Sequence, residues 1–151
     1  MAKIMLVTSS GGHLFHLYQL KKWWEKYDRC WVTFQKVDAL SLLKGEKVYF
    51  GYFPTNRNIK NLIRNTFLAF KILRKEKPDL IISTGAGLAV PFFWVGKLFF
   101  GAKLVFIEVI DRIEIPTLTG KLVYPITDEF LLQWEEQKKS YPKGKVIGVI
   151  F

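Results

Sequence analysis

The sequence predicts an α/β fold, a Rossmann-like, doubly wound and mostly parallel sheet, and three observations carry that reading. Short apolar runs rich in β-branched residues alternate with longer amphipathic ones, the order expected when helical crossovers join parallel strands. The apolar runs lack strict in-out alternation, so both faces of the sheet are expected to be covered. Two glycine-rich turns, SSGG at 9–12 and STGAG at 83–87, each follow an apolar run and precede a helical pattern, as turns at the carboxyl edge of such a sheet do.

Taken in order, the first strand is expected at 4–8, where four apolar residues run unbroken into Thr8, and the first helix at 13–27. Strands follow at 30–34 and 47–50. The helix expected at 56–77 aligns Ile59, Leu62, Phe70 and Leu73 on one face, read as the core side, with Arg57, Lys60, Arg64, Lys71 and Lys75 on another. A strand at 80–83, an almost wholly apolar helix at 88–100, strands at 104–108 and 130–133, and a last apolar run near Val146 complete the pattern. No repeat or linker interrupts it, and 151 residues of which half are apolar suit one domain spanning 1–151.

Composition limits the partners. Lys and Arg outnumber Asp and Glu by 23 to 13, which points to anions such as phosphate, nucleic acid or an acidic membrane. Basic residues interleaved with aliphatic side chains, and the absence of a recognition motif, argue for no nucleic acid. The single Cys30 cannot form an internal disulfide, and the amino-terminal stretch is too short and polar for a signal peptide or a span, so a cytoplasmic location is expected. No residue pattern calls for a metal or another cofactor.

The first glycine turn is the leading candidate site. Gly11 and Gly12, with Ser10, let backbone amides approach an anion such as a diphosphate at the start of a helix. The turn lacks both the G-x-G-x-x-G spacing and the P-loop lysine, so no dinucleotide or nucleoside triphosphate is expected there. A plain tight turn needs the same glycines, and spacing alone does not choose. His13 is placed to donate to a phosphate or, when neutral, to act as a base; capping its helix is the plainer role, and His16 is read as structural. Thr84, Gly85 and Gly87 of the second turn would form the opposite lip of the same crevice. Glu108, at a strand end, would reach that crevice as a hydroxyl ligand or base, or else pair with Arg112 or cap the next segment. Thr119, Gly120 and Lys121 would hold phosphate or simply begin a helix.

A second surface follows from the basic stripe. Leu68 and Ile72 fall beside Arg64, Lys71 and Lys75, and the next helix carries Phe92, Phe93, Trp94 and Phe99. With about 13 residues that helix is short of the ~20 needed to cross a bilayer. It is expected to lie buried or to press its rings on anionic lipid beside the cations, the second being favoured.

Taken together, SSGGHL, STGAG, Glu108 with Arg112 four residues on, LTGKLVYP and DEFLLQWEE resemble, in this order, the PssD-type polysaccharide-biosynthesis proteins. These are bacterial relatives of the membrane-anchor subunit of the asparagine-linked-glycosylation UDP-GlcNAc transferase. The resemblance implies the amino-terminal, acceptor-side half of a MurG-like GT-B glycosyltransferase split over two chains. It implies a carboxyl-half partner that binds the UDP-sugar, a lipid-diphosphate-linked saccharide as acceptor, and hexose transfer in exopolysaccharide or capsule biosynthesis. In the MurG comparison the glycine loop faces the acceptor diphosphate and the following histidine is considered as base, roles that would fall to Gly11, Gly12 and His13. Val109 and Asp111 depart from the serine and alanine usual around the strand-end glutamate. Attachment would be peripheral, on the inner face of the cell membrane. Two alternatives stand beside this: a non-catalytic recruiter of the partner enzyme, and a stand-alone nucleotide-binding enzyme. The apolar end KVIGVIF would join the partner or form a last edge strand.

Overall fold

A computed structural model describes residues 2–55 and 57–149. Strands β1 (Lys3–Thr8), β2 (Asp28–Thr33), β3 (Val48–Phe50), β4 (Leu80–Gly85), β5 (Lys103–Ile107), β6 (Glu129–Leu132) and β7 (Lys145–Val146) form one parallel sheet in the order β3-β2-β1-β4-β5-β6-β7. Six α-helices are described: α1 (Gly12–Tyr18), α2 (Lys21–Trp24), α3 (Val37–Leu42), α4 (Ile59–Glu76), α5 (Ala89–Phe100) and α6 (Leu118–Val123). The chain builds outward from β1 in one direction and from β4 in the other, so right-handed crossovers place α1 to α3 on one face and α4 to α6 on the opposite one. Leu14, Leu17, Trp24 and Ala39 accordingly pack with Ile4, Leu6 and Trp31. Ala69, Leu73, Phe92 and Phe93 pack with Met5, Val7, Cys30 and Val32. The strand order reverses between β1 and β4, and the crevice at their carboxyl ends is where such folds bind ligands.

Several expectations are corrected. The helix expected at 13–27 breaks after Tyr18, because the Leu17 carbonyl accepts from Leu20 N–H and from the buried Trp24 indole instead of serving a continuous turn. The helix α3 has no counterpart in the sequence pattern, since six residues are too few to show a period. The helix expected at 56–77 begins at Ile59, capped by the Asn58 side chain on Asn61 N–H at 2.9 Å; Asn56 lies outside the described residues.

The core face of α4 also differs from the expectation. Asn61, Asn65, Ala69, Ile72, Leu73 and Glu76 are buried, while Ile59 and Leu62 are exposed. The amino-terminal half of α4 packs on the backbone of the loop after β3, not on the sheet. Asn61 Nδ2 donates to the Pro54 carbonyl, and Asn65 both accepts from Tyr52 N–H and donates to its carbonyl. Covering a polar backbone calls for amides, which displaces the aliphatic residues outward.

At the opposite edge of the sheet the buried Glu76 takes Lys3 Nζ at 2.6 Å, Lys47 Nζ at 2.8 Å and the Tyr49 hydroxyl. Burial alone pushes this carboxyl up, but the hydrogen bonds from Lys3, Lys47 and Tyr49 outweigh it and hold it at about 2 instead of 4.5. A carboxyl depressed in the folded state stabilises the fold above its ordinary value, and the contribution disappears as pH falls toward the depressed one. Acid unfolding between about pH 4.5 and pH 2 is therefore expected to lose on the order of 3 kcal/mol from this group. Urea titrations of the wild type and of Glu76→Gln across that range would check it, the variant showing the flatter dependence. Cys30 is fully buried in the core, and its thiol is pushed by that burial up to about 12.

Candidate functional site

The first glycine turn lies at the carboxyl end of β1. Gly11 has φ +80° and ψ −140° and precedes α1 with no side chain capping that helix, a conformation that suits glycine. A Cβ on Gly11 or Gly12 would have no atom within 4 Å, so this stretch of backbone faces open space. Gly11 N–H donates to Asp38 Oδ2 at 2.6 Å. The amide thus already holds an anionic oxygen, contributed by an exposed side chain of α3, in a short charge-assisted bond.

His13, half-buried, follows at once and is tied to the second turn. Thr84 Oγ1 donates to the His13 carbonyl at 2.6 Å, and the Thr84 carbonyl lies 3.2 Å from His13 Nδ1. This corrects the second turn's expected role as a lip offering donors to phosphate. Thr84 is buried with its hydroxyl proton committed to His13, the Gly85 amide donates to Ser83 Oγ, and Gly87 packs against the Thr55 side chain. The turn seats His13 instead.

Glu108 is corrected more sharply. It is 0% exposed and accepts from Val109 N–H at 3.0 Å, from Thr117 N–H at 3.3 Å, from Thr117 Oγ1 at 2.9 Å and from Tyr141 hydroxyl at 2.6 Å. Burial, and then the adjacent Glu108 carboxylate, push the Tyr141 phenol well above its ordinary 10.0, which keeps it a donor. Of the roles weighed for Glu108, the cap on the following segment is the one the geometry carries, and its oxygens do not open onto the crevice. Gly120 is likewise no phosphate ligand. Its amide donates to Thr117 Oγ1 at 3.0 Å, and a Cβ there would collide with the Tyr141 hydroxyl and stand 2.5 Å from Glu108 Oε2. Thr119 is half-buried, while Lys121 on α6 and Arg112 are exposed.

Sequence reasoning missed the residues that shape the loop after β5. Gln133 Nε2 donates to the Glu108 carbonyl, Trp134 Nε1 to Ile110, and Gln137 Nε2 to both Val109 and Arg112. Two glutamines so close to an apolar strand are the signal, since a buried amide must serve a backbone that has no ladder. The carboxyl end of the chain is an edge strand through Val146, with Ile147 N–H donating to the Leu132 carbonyl; Ile150 and Phe151 lie outside the described residues.

The expected lipid surface is redistributed. Ile72, Phe92 and Phe93 are buried, Leu68 and Trp94 are half-buried, and the Trp94 indole donates to the Leu122 carbonyl. An apolar helix lying between α4, α6 and the sheet has neighbours on most sides, which is why its rings are covered. Arg64, Lys71 and Lys75 are exposed, and Phe99 is 64% exposed. The residues not foreseen are Ile63 and Phe67, exposed with Ile59 at spacings of four along α4, beside Arg64 and Lys71. Among the described residues no helix is long and apolar enough to cross a membrane.

Comparison with known proteins places this geometry among relatives. Residues 44–150 match the family described as "Oligosaccharide biosynthesis protein Alg14 like". The chain is similar to the human protein named UDP-N-acetylglucosamine transferase subunit ALG14, with 25% identity over 97% of this chain and 82% of that one. It is also similar to the Kluyveromyces lactis protein of the same name, with 34% identity over 61% of this chain and 42% of that one. Among solved structures it resembles Acinetobacter baumannii MurG, with a TM-score of 0.71, 16% identity, and coverage of 89% of this chain and 42% of that one. It resembles S. aureus MnaA, solved with UDP, with a TM-score of 0.73, 14% identity, and coverage of 98% and 43%. The chain spans less than half the length of either solved structure, and at these identities the likeness shows the fold: a Rossmann-like domain of the kind found in one half of a GT-B enzyme.

Proposed function

We propose, from the premise that the chain belongs to the Alg14-like family of oligosaccharide biosynthesis proteins, that it is the acceptor-binding and membrane-recruiting subunit of a two-chain glycosyltransferase. A carboxyl-half partner holds the UDP-sugar, and the acceptor is a lipid-diphosphate-linked saccharide of exopolysaccharide or capsule biosynthesis. The chain works on the inner face of the cell membrane. The observation that carries this is the placement of an open glycine turn and a seated histidine at the switch point of the sheet. The amino-terminal half of α4, with its exposed apolar residues and cations, begins just after the loop bordering that edge.

In this reading an acceptor hydroxyl attacks C1 of the donor sugar, the bond from C1 to the UDP oxygen breaks, and the hydroxyl proton passes to neutral His13. The departing UDP is stabilised by the partner. The acceptor diphosphate takes the amide that Asp38 now occupies, with Arg112, Thr119 and Lys121 as further candidates to contact it; Glu108 and Gly120 stay in the scaffold. Two variants test the cradle. A Cβ at Gly12 meets nothing and Gly12 has no positive φ, so Gly12→Val is expected to fold normally yet raise the acceptor KM of the complex about tenfold or more, leaving the UDP-sugar KM unchanged. Asp38→Asn removes the competing charge and is expected to lower the acceptor KM several-fold. A folded Gly12→Val complex with normal acceptor kinetics would sink the cradle, and a raised KM in Asp38→Asn would make that carboxylate part of the acceptor site.

Membrane recruitment has its own test. Rings and aliphatic side chains beside cations suit an anionic leaflet, where each Lys or Arg contributes about 1 kcal/mol through a field that salt screens. The Ile63→Glu, Phe67→Glu double variant is expected to lose sedimentation with anionic vesicles in low salt, and the wild type to lose it in high salt. Equal, weak binding of the wild type to neutral and anionic vesicles in low salt would refute the recruiting surface.

A further inference from the structure

The carboxyl end of β4 meets His13 in three ways. Thr84 Oγ1 donates to the His13 carbonyl at 2.6 Å, the Thr84 carbonyl stands 3.2 Å from Nδ1, and a Cβ on Gly85 would lie 2.9 Å from Nδ1 and 3.0 Å from Cε1. A carbonyl oxygen can only accept, so its contact with the ring is a hydrogen bond only when Nδ1 carries the proton. A neutral imidazole has a single N–H, which leaves Nε2 with the lone pair. Gly85 sits at φ +129°, a backbone conformation that L side chains rarely adopt, and its missing Cβ is the space the ring edge fills. Backbone and ring therefore ask for glycine independently.

We infer that Gly85 and the Thr84 carbonyl are positioning residues that hold His13 in the Nδ1–H tautomer, so that Nε2 is the nitrogen that accepts the proton of the acceptor hydroxyl. The task given to Nε2 rests on the proposed glycosyl transfer; the tautomer does not, because it is set by contacts within this chain. Fixing one ring nitrogen by a hydrogen bond to define the chemistry of the other is the same device that orients histidines bound to metals. The second glycine turn then has a function after all, exerted through His13 rather than on a phosphate.

The test is a long-range proton–nitrogen correlation spectrum of the full chain labelled with 15N-histidine, with the His13 signals identified by their loss in His13→Gln. At a pH where the ring is neutral, Nδ1 is expected at the protonated type of shift and Nε2 at the unprotonated type. The opposite assignment in the wild type overturns the inference. In Gly85→Ala the Nδ1–H population is expected to fall, and kcat of the assembled complex to drop by on the order of 10²-fold with the acceptor KM changed far less, since a wrong tautomer removes the base and not the binding. A folded Gly85→Ala protein with the wild-type tautomer and turnover overturns the role of Gly85. Should that variant fail to fold, the wild-type spectrum still decides. A wild-type complex that transfers no sugar would refute the proposed function while leaving the tautomer intact.

Discussion

On the proposed function, replacing His13 by alanine is expected to lower turnover of the two-chain complex by about 10²–10⁴-fold, the range that a positioned general base contributes. Complex formation and the KM for UDP-sugar should stay near wild type. The structural cost is small because the ring is half-buried and its hydrogen bond to Thr84 is a single contact of 3.2 Å, worth about 1 kcal/mol. The Thr84 hydroxyl bond to the residue 13 carbonyl survives the substitution, so the two turns remain joined. Turnover measured on purified complex, together with co-purification, separates catalysis by this chain from recruitment alone. Lost turnover in an intact complex assigns the base to this subunit; retained turnover makes the chain a recruiter and leaves acid-base work to the partner.

Glu108→Ala is expected to act on the opposite property. It strips an acceptor from Tyr141, from two donors of Thr117 and from Val109 N–H at a site with no solvent access, and it leaves a void beneath Gly120. Orphaning buried donors costs about 1–3 kcal/mol each where no water replaces the partner, so a total on the order of 3–5 kcal/mol is expected. In a domain of this size that corresponds to a fall in melting temperature on the order of 10 °C. Thermal unfolding followed by circular dichroism would check it. A Glu108→Ala protein that melts like the wild type but whose complex is inactive would restore the catalytic role that the strand-end position suggested.

The two glutamate readings show why the site was only partly legible. From the run KLVFIE, a carboxylate at the end of a parallel strand is equally suited to face a ligand or to turn inward, and nothing local separates the cases. The partners that decided it, Thr117 and Tyr141, lie 9 and 33 residues away. The STGAG turn is ambiguous for a related reason: in sequence its glycines suit room for a ligand, whereas the room at Gly85 is filled by a side chain from 72 positions earlier. The position of His13 and the first glycine turn in the fold is legible because their setting is local, a strand, a turn and a helix start within a dozen residues.

Features written in short-range chemistry are legible from the residues alone. These are strands buried on both faces, recognisable as unbroken apolar β-branched runs, the parallel sheet implied by their alternation with helices, and the position of the first glycine turn at a strand's carboxyl end. Which way each ambiguous surface faces depends on long-range packing. Ile72, Phe92 and Phe93 went inward and Ile59, Ile63 and Phe67 outward, although all six are apolar and lie on helices. Periodicity measures how apolar a face is, while burial depends on what packs against it: here a polar loop backbone that required Asn61 and Asn65 on the inner side of α4 and so left the aliphatic residues in contact with solvent.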